Sequence, residues 1–137
     1  MLKKILSITA IAFSIAIVVM GFRSIHGQVV CFGDSITYGA QVDGKSWVYF
    51  LSQDHGSVDF INAGRSGRKT SDKQELLPVL KQHPSANYYL IFLGVNDLKN
   101  GNDSMVNSCI SNVKWMISKI NEANPWGFYR DLITIRY

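Results

Sequence analysis

The sequence is most informative first in what it lacks. Its two cysteines, Cys31 and Cys109, do not have the paired spacing of a zinc site. No internal repeat and no low-complexity stretch runs through it, which excludes solenoids and biased linkers. It contains neither G-x-x-x-x-G-K-[ST] nor G-x-G-x-x-G, so a nucleotide or phosphate binder has only a loop after the first strand to rest on. Charge of one sign is scarce as well. The formal +4 is set largely by Lys3, Lys4 and Arg23 near the start. Without them, residues 28–137 carry 11 basic and 10 acidic side chains, a net charge of +1. A near-neutral domain has no broad electrostatic footprint for nucleic acid. The cluster Arg65, Arg68 and Lys69 reads as a solvated loop rather than a phosphate site. A length of 137 residues suits one domain and is too short for two.

What is present begins with a leader. Lys3 and Lys4 precede an apolar run from Ile5 to Phe22, broken only by small residues such as Ser7, Thr9, Ser14 and Gly21. Residues 1–27 therefore read as a secretory signal peptide or an uncleaved N-terminal membrane anchor. A buried core helix would show a polar face, and this run has none. No A-x-A stands before Gln28, and Cys31 follows Gln28-Val29-Val30, which is no lipobox. The expected location is secreted, periplasmic or at the outer face of the membrane. An oxidising compartment would permit a disulfide, but both cysteines fall on apolar faces and read as buried free thiols.

Strand and helix patterns alternate through residues 28–137. Val29-Val30-Cys31-Phe32 is a short apolar run closed by Gly33, as in a buried parallel strand. Ser46 is placed to cap a helix carrying Trp47, Val48, Phe50 and Leu51, and Gly56 ends it. Val58 to Asn62 reads as a second strand. Asp72 and Glu75 resemble a capping box before the stripe Leu76, Leu77, Val79 and Leu80. Pro78 inside that stripe predicts a kink or a later helix start. Tyr88 to Leu93 is the clearest strand. Asp103 or Ser104 is placed to cap the longest helix, whose apolar set is Val106, Cys109, Ile110, Val113, Met116, Ile117 and Ile120. Asn102-Asp103-Ser104 is formally a glycosylation acceptor, with a helix cap as its plainer reading. The order βαβαβα implies an α/β fold with a parallel sheet and helices on its faces.

Three polar segments fall at equivalent places on this scaffold. Gly33-Asp34-Ser35 follows the first strand, Asn62-Ala63-Gly64 the second, and Gly94-Val95-Asn96-Asp97 the third. All three sit at the carboxyl ends of parallel strands, where open α/β sheets bind ligands. Singly, each has a plain reading: Ser35 as a cap, Gly64 as a turn glycine, Asn96-Asp97 as an Asx-turn. Their convergence on one edge is the signal.

Phe32-Gly33-Asp34-Ser35-Ile36-Thr37-Tyr38-Gly39 resembles the first block of the SGNH/GDSL hydrolases, Asn62-Ala63-Gly64-Arg65-Ser66-Gly67 the second, and Leu93-Gly94-Val95-Asn96-Asp97 the third. The resemblance covers about residues 28–125, in order and in register. It implies a three-layer α/β/α, flavodoxin-like fold and a serine ester hydrolase that needs neither metal nor organic cofactor. In that chemistry Ser35 is the nucleophile. The Ser35 and Gly64 backbone N–H groups and the Asn96 amide would form the oxyanion hole, each donor contributing about 3–4 kcal/mol in the transition state. Gly64 would be a glycine so that substrate can come close. Gly33 and Gly94 support these blocks. Asp34 and Asp97 are expected to bond loop backbone rather than to serve as the triad acid.

The family's fourth block, Asp-x-x-His, does not occur in the chain. Asp131-Leu132-Ile133-Thr134 has threonine where histidine should stand. His26, His55 and His83 each precede a strand, which places them at the amino edge, about 17 Å from Ser35 across even a five-residue strand. A general base must come within about 3 Å. No catalytic His or Asp is therefore assigned, and activity is expected to be impaired. The resemblance fades near Trp126, as in a truncated or frameshifted product, with 28–137 a C-terminally incomplete domain. Leu132 to Tyr137 reads as a strand. An incomplete sheet would keep an uncovered apolar edge, which invites self-association.

The expected partner is a small-molecule ester, a thioester or an acetylated carbohydrate. Arg65-Ser66-Gly67-Arg68 resembles carbohydrate acetylesterases, whereas Leu77-Pro78-Val79-Leu80-Lys81-Gln82-His83 looks more like thioesterases and lysophospholipases. The alternative function is a non-catalytic binding module of the same fold.

Overall fold

The computed structural model describes residues 27–99 and 103–123. The leader through His26, Asn102, the stretch Trp126 to Asp131 and the strand expected over Leu132–Tyr137 lie outside the described residues.

Three parallel strands form the sheet: β1 (Gly27–Gly33), β2 (Val58–Gly64) and β3 (Tyr88–Phe92), in the order β2-β1-β3. β1 begins at Gly27, which pairs with Val58, so the sheet reaches one residue into the segment expected to be leader. The central strand is apolar on both faces because both are covered. Val30 and Phe32 point to one side with Tyr89 and Ile91, and Val29 and Cys31 point to the other with Val48.

Helices fill the two outer layers. Helix α2 (Trp47–Asp54) covers the Val29–Cys31 face through Trp47 and Val48. Ser46 occupies its N-cap position, but the Ser46 hydroxyl makes no capping bond; it accepts from Asn62 Nδ2 at 3.3 Å. On the other face lie α3 (Leu76–Gln82) and α5 (Asp103–Ala123), contributing Leu76, Leu80, Met116 and Ile120 to the main core. A 3-10 segment over Thr70–Glu75 precedes α3. The change of helix type leaves Pro78 in the first turn of α3, where a missing N–H is tolerated. Two one-turn helices, α1 (Ser35–Tyr38) and α4 (Val95–Leu98), start the loops at the carboxyl edge.

The long helix departs from its expected stripe. Met116 and Ile120 are buried, while Val106 and Ile110 are exposed among the described residues. Only the carboxyl half of α5 therefore supplies buried residues to the core. Cys31 is a buried free thiol, and burial pushes it up to about 12. Cys109 is a free, half-buried thiol, also raised by burial.

Candidate active site

The three strands end at one level. Gly33 pairs with Gly64 on one side and with Phe92 on the other. The segments carrying Ser35, Gly64 and Asn96 therefore leave the sheet side by side.

Ser35 opens α1 directly after β1. The buried Asp34 carboxylate caps this turn, accepting the Ile36 N–H at 2.9 Å. The turn closes on Gly39, whose N–H donates to the Ser35 carbonyl at 3.0 Å. Ser35 itself is half-buried, and its hydroxyl makes no hydrogen bond among the described residues. α1 lies tight against the strand ends: a Cβ at Gly33 would stand 2.0 Å from Thr37 Oγ1.

Asn62 and Gly64 hold α1 from the β2 side. Asn62 Nδ2 donates to the Thr37 carbonyl at 2.8 Å, and Asn62 Oδ1 accepts the Gly64 N–H at 2.9 Å. A Cβ on Gly64 would lie 2.3 Å from the Tyr38 nitrogen. The expected reason for this glycine, room for substrate, is thus replaced by another: Gly64 gives room to the backbone of α1. Its N–H is also engaged by Asn62. The next glycine along, Gly67, sits at φ +75° with open space beyond it, in a turn closed by Arg68 N–H to the Arg65 carbonyl at 3.2 Å. Its N–H has no partner among the described residues.

Arg68 overturns the reading of a solvated basic loop. It is 6% exposed. Its guanidinium stacks on Phe32, 4.1 Å from the ring centre, and Nη1 donates to the Gly33 and Ala63 carbonyls at 2.6 Å each. Nε pairs with Glu75 at 3.0 Å. Sequence reasoning missed this because every partner but Ala63 and Glu75 is far away in the chain. Arg65 stays exposed and bonds Asp72 and Glu75.

The third segment docks on this loop. Gly94 adopts φ +124°, a conformation costly for any side chain, and starts α4. Asn96 Nδ2 donates to the Arg68 carbonyl at 3.1 Å, which fixes the amide and leaves its second N–H available. The Asp97 carboxylate accepts the Thr70 N–H at 2.9 Å and the Thr70 hydroxyl at 2.5 Å. Asp34 thus bonds the backbone of its own turn, whereas Asp97 bonds the backbone and hydroxyl of Thr70 in the preceding 3-10 segment.

Burial pushes the Glu75 carboxyl up, but hydrogen bonds and charge from Arg65 and Arg68 outweigh it and leave it below its ordinary value. A carboxyl lowered in the fold contributes stability that is present above the unfolded value of 4.5 and lost as the pH falls through the folded one. Melting temperature measured against pH should therefore drop below about pH 4.5, and Glu75→Gln should flatten that part of the curve. With Glu75 42% exposed, the contribution is modest.

The two described histidines lie far from Ser35. His55 caps the end of α2 and precedes β2, while His83 caps the end of α3 and precedes β3. Both occupy the amino edge, where Gly27, Gln28, Asp59 and Asn87 line a polar groove. The seven residues of β2 span roughly 23 Å between that edge and the candidate site.

The fold has counterparts among solved structures. Among curated proteins no sequence matches the chain significantly. Among solved structures the chain is similar to AlinE4, an SGNH-hydrolase family esterase, with 28% identity, a TM-score of 0.62, and coverage of 70% of this chain and 53% of the other. It is similar in fold to the psychrotrophic esterase EstA from Pseudoalteromonas sp., crystallised with monoethylphosphonate as inhibitor: 24% identity, TM-score 0.64, covering 72% and 55%. TesA shares the fold at 22% identity and TM-score 0.65, covering 80% and 61%. The chain thus spans little more than half the length of these relatives. The model of the GDSL-like lipase/acylhydrolase family matches residues 31–127, well over half of the sequence. With its parallel three-stranded sheet between helical layers, the chain belongs to the GDSL-like lipase/acylhydrolase family of ester hydrolases.

Proposed function

We propose that this chain supplies the nucleophile and the oxyanion donors of a serine ester hydrolase acting on a carboxylic ester, a thioester or an acetylated carbohydrate. The observation that carries the reading is the common level of the three strand ends. It puts on the same edge a fixed Asn96 amide and a Ser35 hydroxyl that has no hydrogen-bond partner among the described residues. Ser35 Oγ attacks the acyl carbonyl, its proton passes by way of a base to the departing alcohol or thiol, and water then hydrolyses the Ser35 ester to release the acid. The developing oxyanion takes hydrogen bonds from the Ser35 N–H, the second Asn96 N–H, and a backbone N–H of the Gly64–Gly67 segment. Within that segment Gly67 is the better donor, because the Gly64 N–H is engaged by Asn62. We place the protein at the cell envelope, guided by the apolar leader.

A hydroxyl needs a base to become a competent nucleophile. Neither described histidine reaches Ser35, so a base comes from outside the described residues, and without one turnover is slow. Triad enzymes stripped of members retain roughly 10³–10⁴-fold over water. Hydrolysis of p-nitrophenyl acetate by the 137-residue chain is the test. The expected result is a slow rate above buffer accompanied by acetylation of Ser35, an acyl-enzyme that Ser35→Ala cannot form. No acetylation of either protein, with ester binding retained in each, would favour the non-catalytic binding module.

A further inference from the structure

We infer that Arg68 is a positioning residue for the candidate oxyanion hole, holding its three segments in mutual register; this rests on the ester-hydrolase reading above. The side chain bonds the carbonyl of Gly33, just ahead of Asp34-Ser35, and the carbonyl of Ala63, just ahead of Gly64. Its own carbonyl accepts Asn96 Nδ2. One residue therefore touches the segments bearing the nucleophile, the backbone donor and the amide donor. The other ties are between pairs: Asn62 joins β2 to α1, and Asp97 joins α4 to the 3-10 segment.

The chemistry of the side chain matches this task. A guanidinium is a rigid planar fork with five N–H donors. Here Nη1 spans two carbonyls, Nε reaches Glu75, and the plane lies on Phe32. A lysine ammonium is a single point charge on a flexible stem and cannot reproduce the set. Burying a cation is expensive unless it is paired, and well-packed apolar residues usually serve stability as well or better. Placing a charge under Phe32 is therefore a poor choice for packing alone and a good one for aligning carbonyls. Displacements of about 1 Å at reacting groups can cost 10²-fold in rate. The segments that Arg68 joins carry those groups.

The test is the rate at which a fluorophosphonate modifies the full chain, resolved into a maximal rate kinact and a half-saturation KI. Arg68→Lys should lower kinact by roughly 10–100-fold, since misplaced donors weaken the transition state. KI should stay within about twofold, because the phosphonate's ground-state contacts are kept. In Arg68→Ala, added guanidinium at sub-denaturing concentration should restore part of kinact. Ile120→Ala, in the α5 core and away from the three segments, lowers the melting temperature and should leave kinact at the wild-type value well below melting. Should Arg68→Lys not fold, Glu75→Gln, which removes the carboxylate charge that pairs with Arg68 Nε and with Arg65 Nε, carries the same expectation in weaker form. The inference is overturned if Arg68→Lys labels at the wild-type kinact, or if guanidinium gives no recovery in a folded Arg68→Ala. A wild-type chain that is not labelled at all would instead remove the ester-hydrolase reading.

Discussion

Gly64→Ala is expected to cost at least about 3 kcal/mol, the upper end of ordinary overpacking. The new Cβ would stand 2.3 Å from the Tyr38 nitrogen and 2.7 Å from both the Thr37 carbonyl carbon and the Tyr38 Cα. These are backbone atoms, so no rotamer change can relieve the contact. α1 cannot drift away cheaply either. Asn62 holds its Thr37 carbonyl, and the Thr37 side chain is fully buried against Gly33. For a domain of this size such a loss lowers the melting temperature by roughly 12 °C or more. It is also a large share of a total stability of about 5–15 kcal/mol. Gly56→Ala is the matched control, since nothing lies within 4 Å of its Cβ position. Thermal unfolding followed by circular dichroism decides the matter. If Gly64→Ala melts with the Gly56→Ala control, α1 does not press on β2 as described.

The second large effect is on chemistry rather than stability. Asn96→Ala should slow phosphonylation of Ser35 by about 10²–10³-fold, the usual loss on removing one oxyanion-hole donor. Among the described residues the side chain makes one hydrogen bond, to the Arg68 carbonyl, so the fold should lose only about 1 kcal/mol. Because the amide acts on charge that develops during attack, the loss should fall in the maximal rate and leave half-saturation little changed. Stopped reactions analysed by intact mass give both quantities. A variant that labels as fast as wild type would remove Asn96 from the donor set.

Much of the fold could be read from pattern. The apolar runs of β1, β2 and β3 lie where the expected strands lie, since short β-branched and aromatic runs closed by glycine or polar loops have few other uses. Pro78 correctly marked a late helix start, because its ring and missing N–H are tolerated only in a first turn. The one-turn helices α1 and α4 were not legible, as four residues carry no periodicity. The exposure of Val106 and Ile110 was not legible either: a stripe predicts a buried face but not how far its cover extends. At the site, the grouping of Ser35, Gly64 and Asn96 segments at one sheet edge followed from strand order alone. The burial of Arg68 did not. An arginine between Gly67 and Lys69 looks solvated, and only the tertiary approach of Phe32 and Gly33 gives it a place inside. The meaning of Gly64 was hidden for the same reason, since its crowding atoms come from Thr37 and Tyr38.

The most direct test of the central claim is to expose the full chain to a fluorophosphonate and map the adduct by peptide mass spectrometry. The account predicts one adduct per chain, on Ser35, formed only in the folded protein and absent from Ser35→Ala. An unmodified protein, or an adduct on another hydroxyl such as Ser46 or Tyr38, would contradict the assignment of Ser35 as the nucleophile.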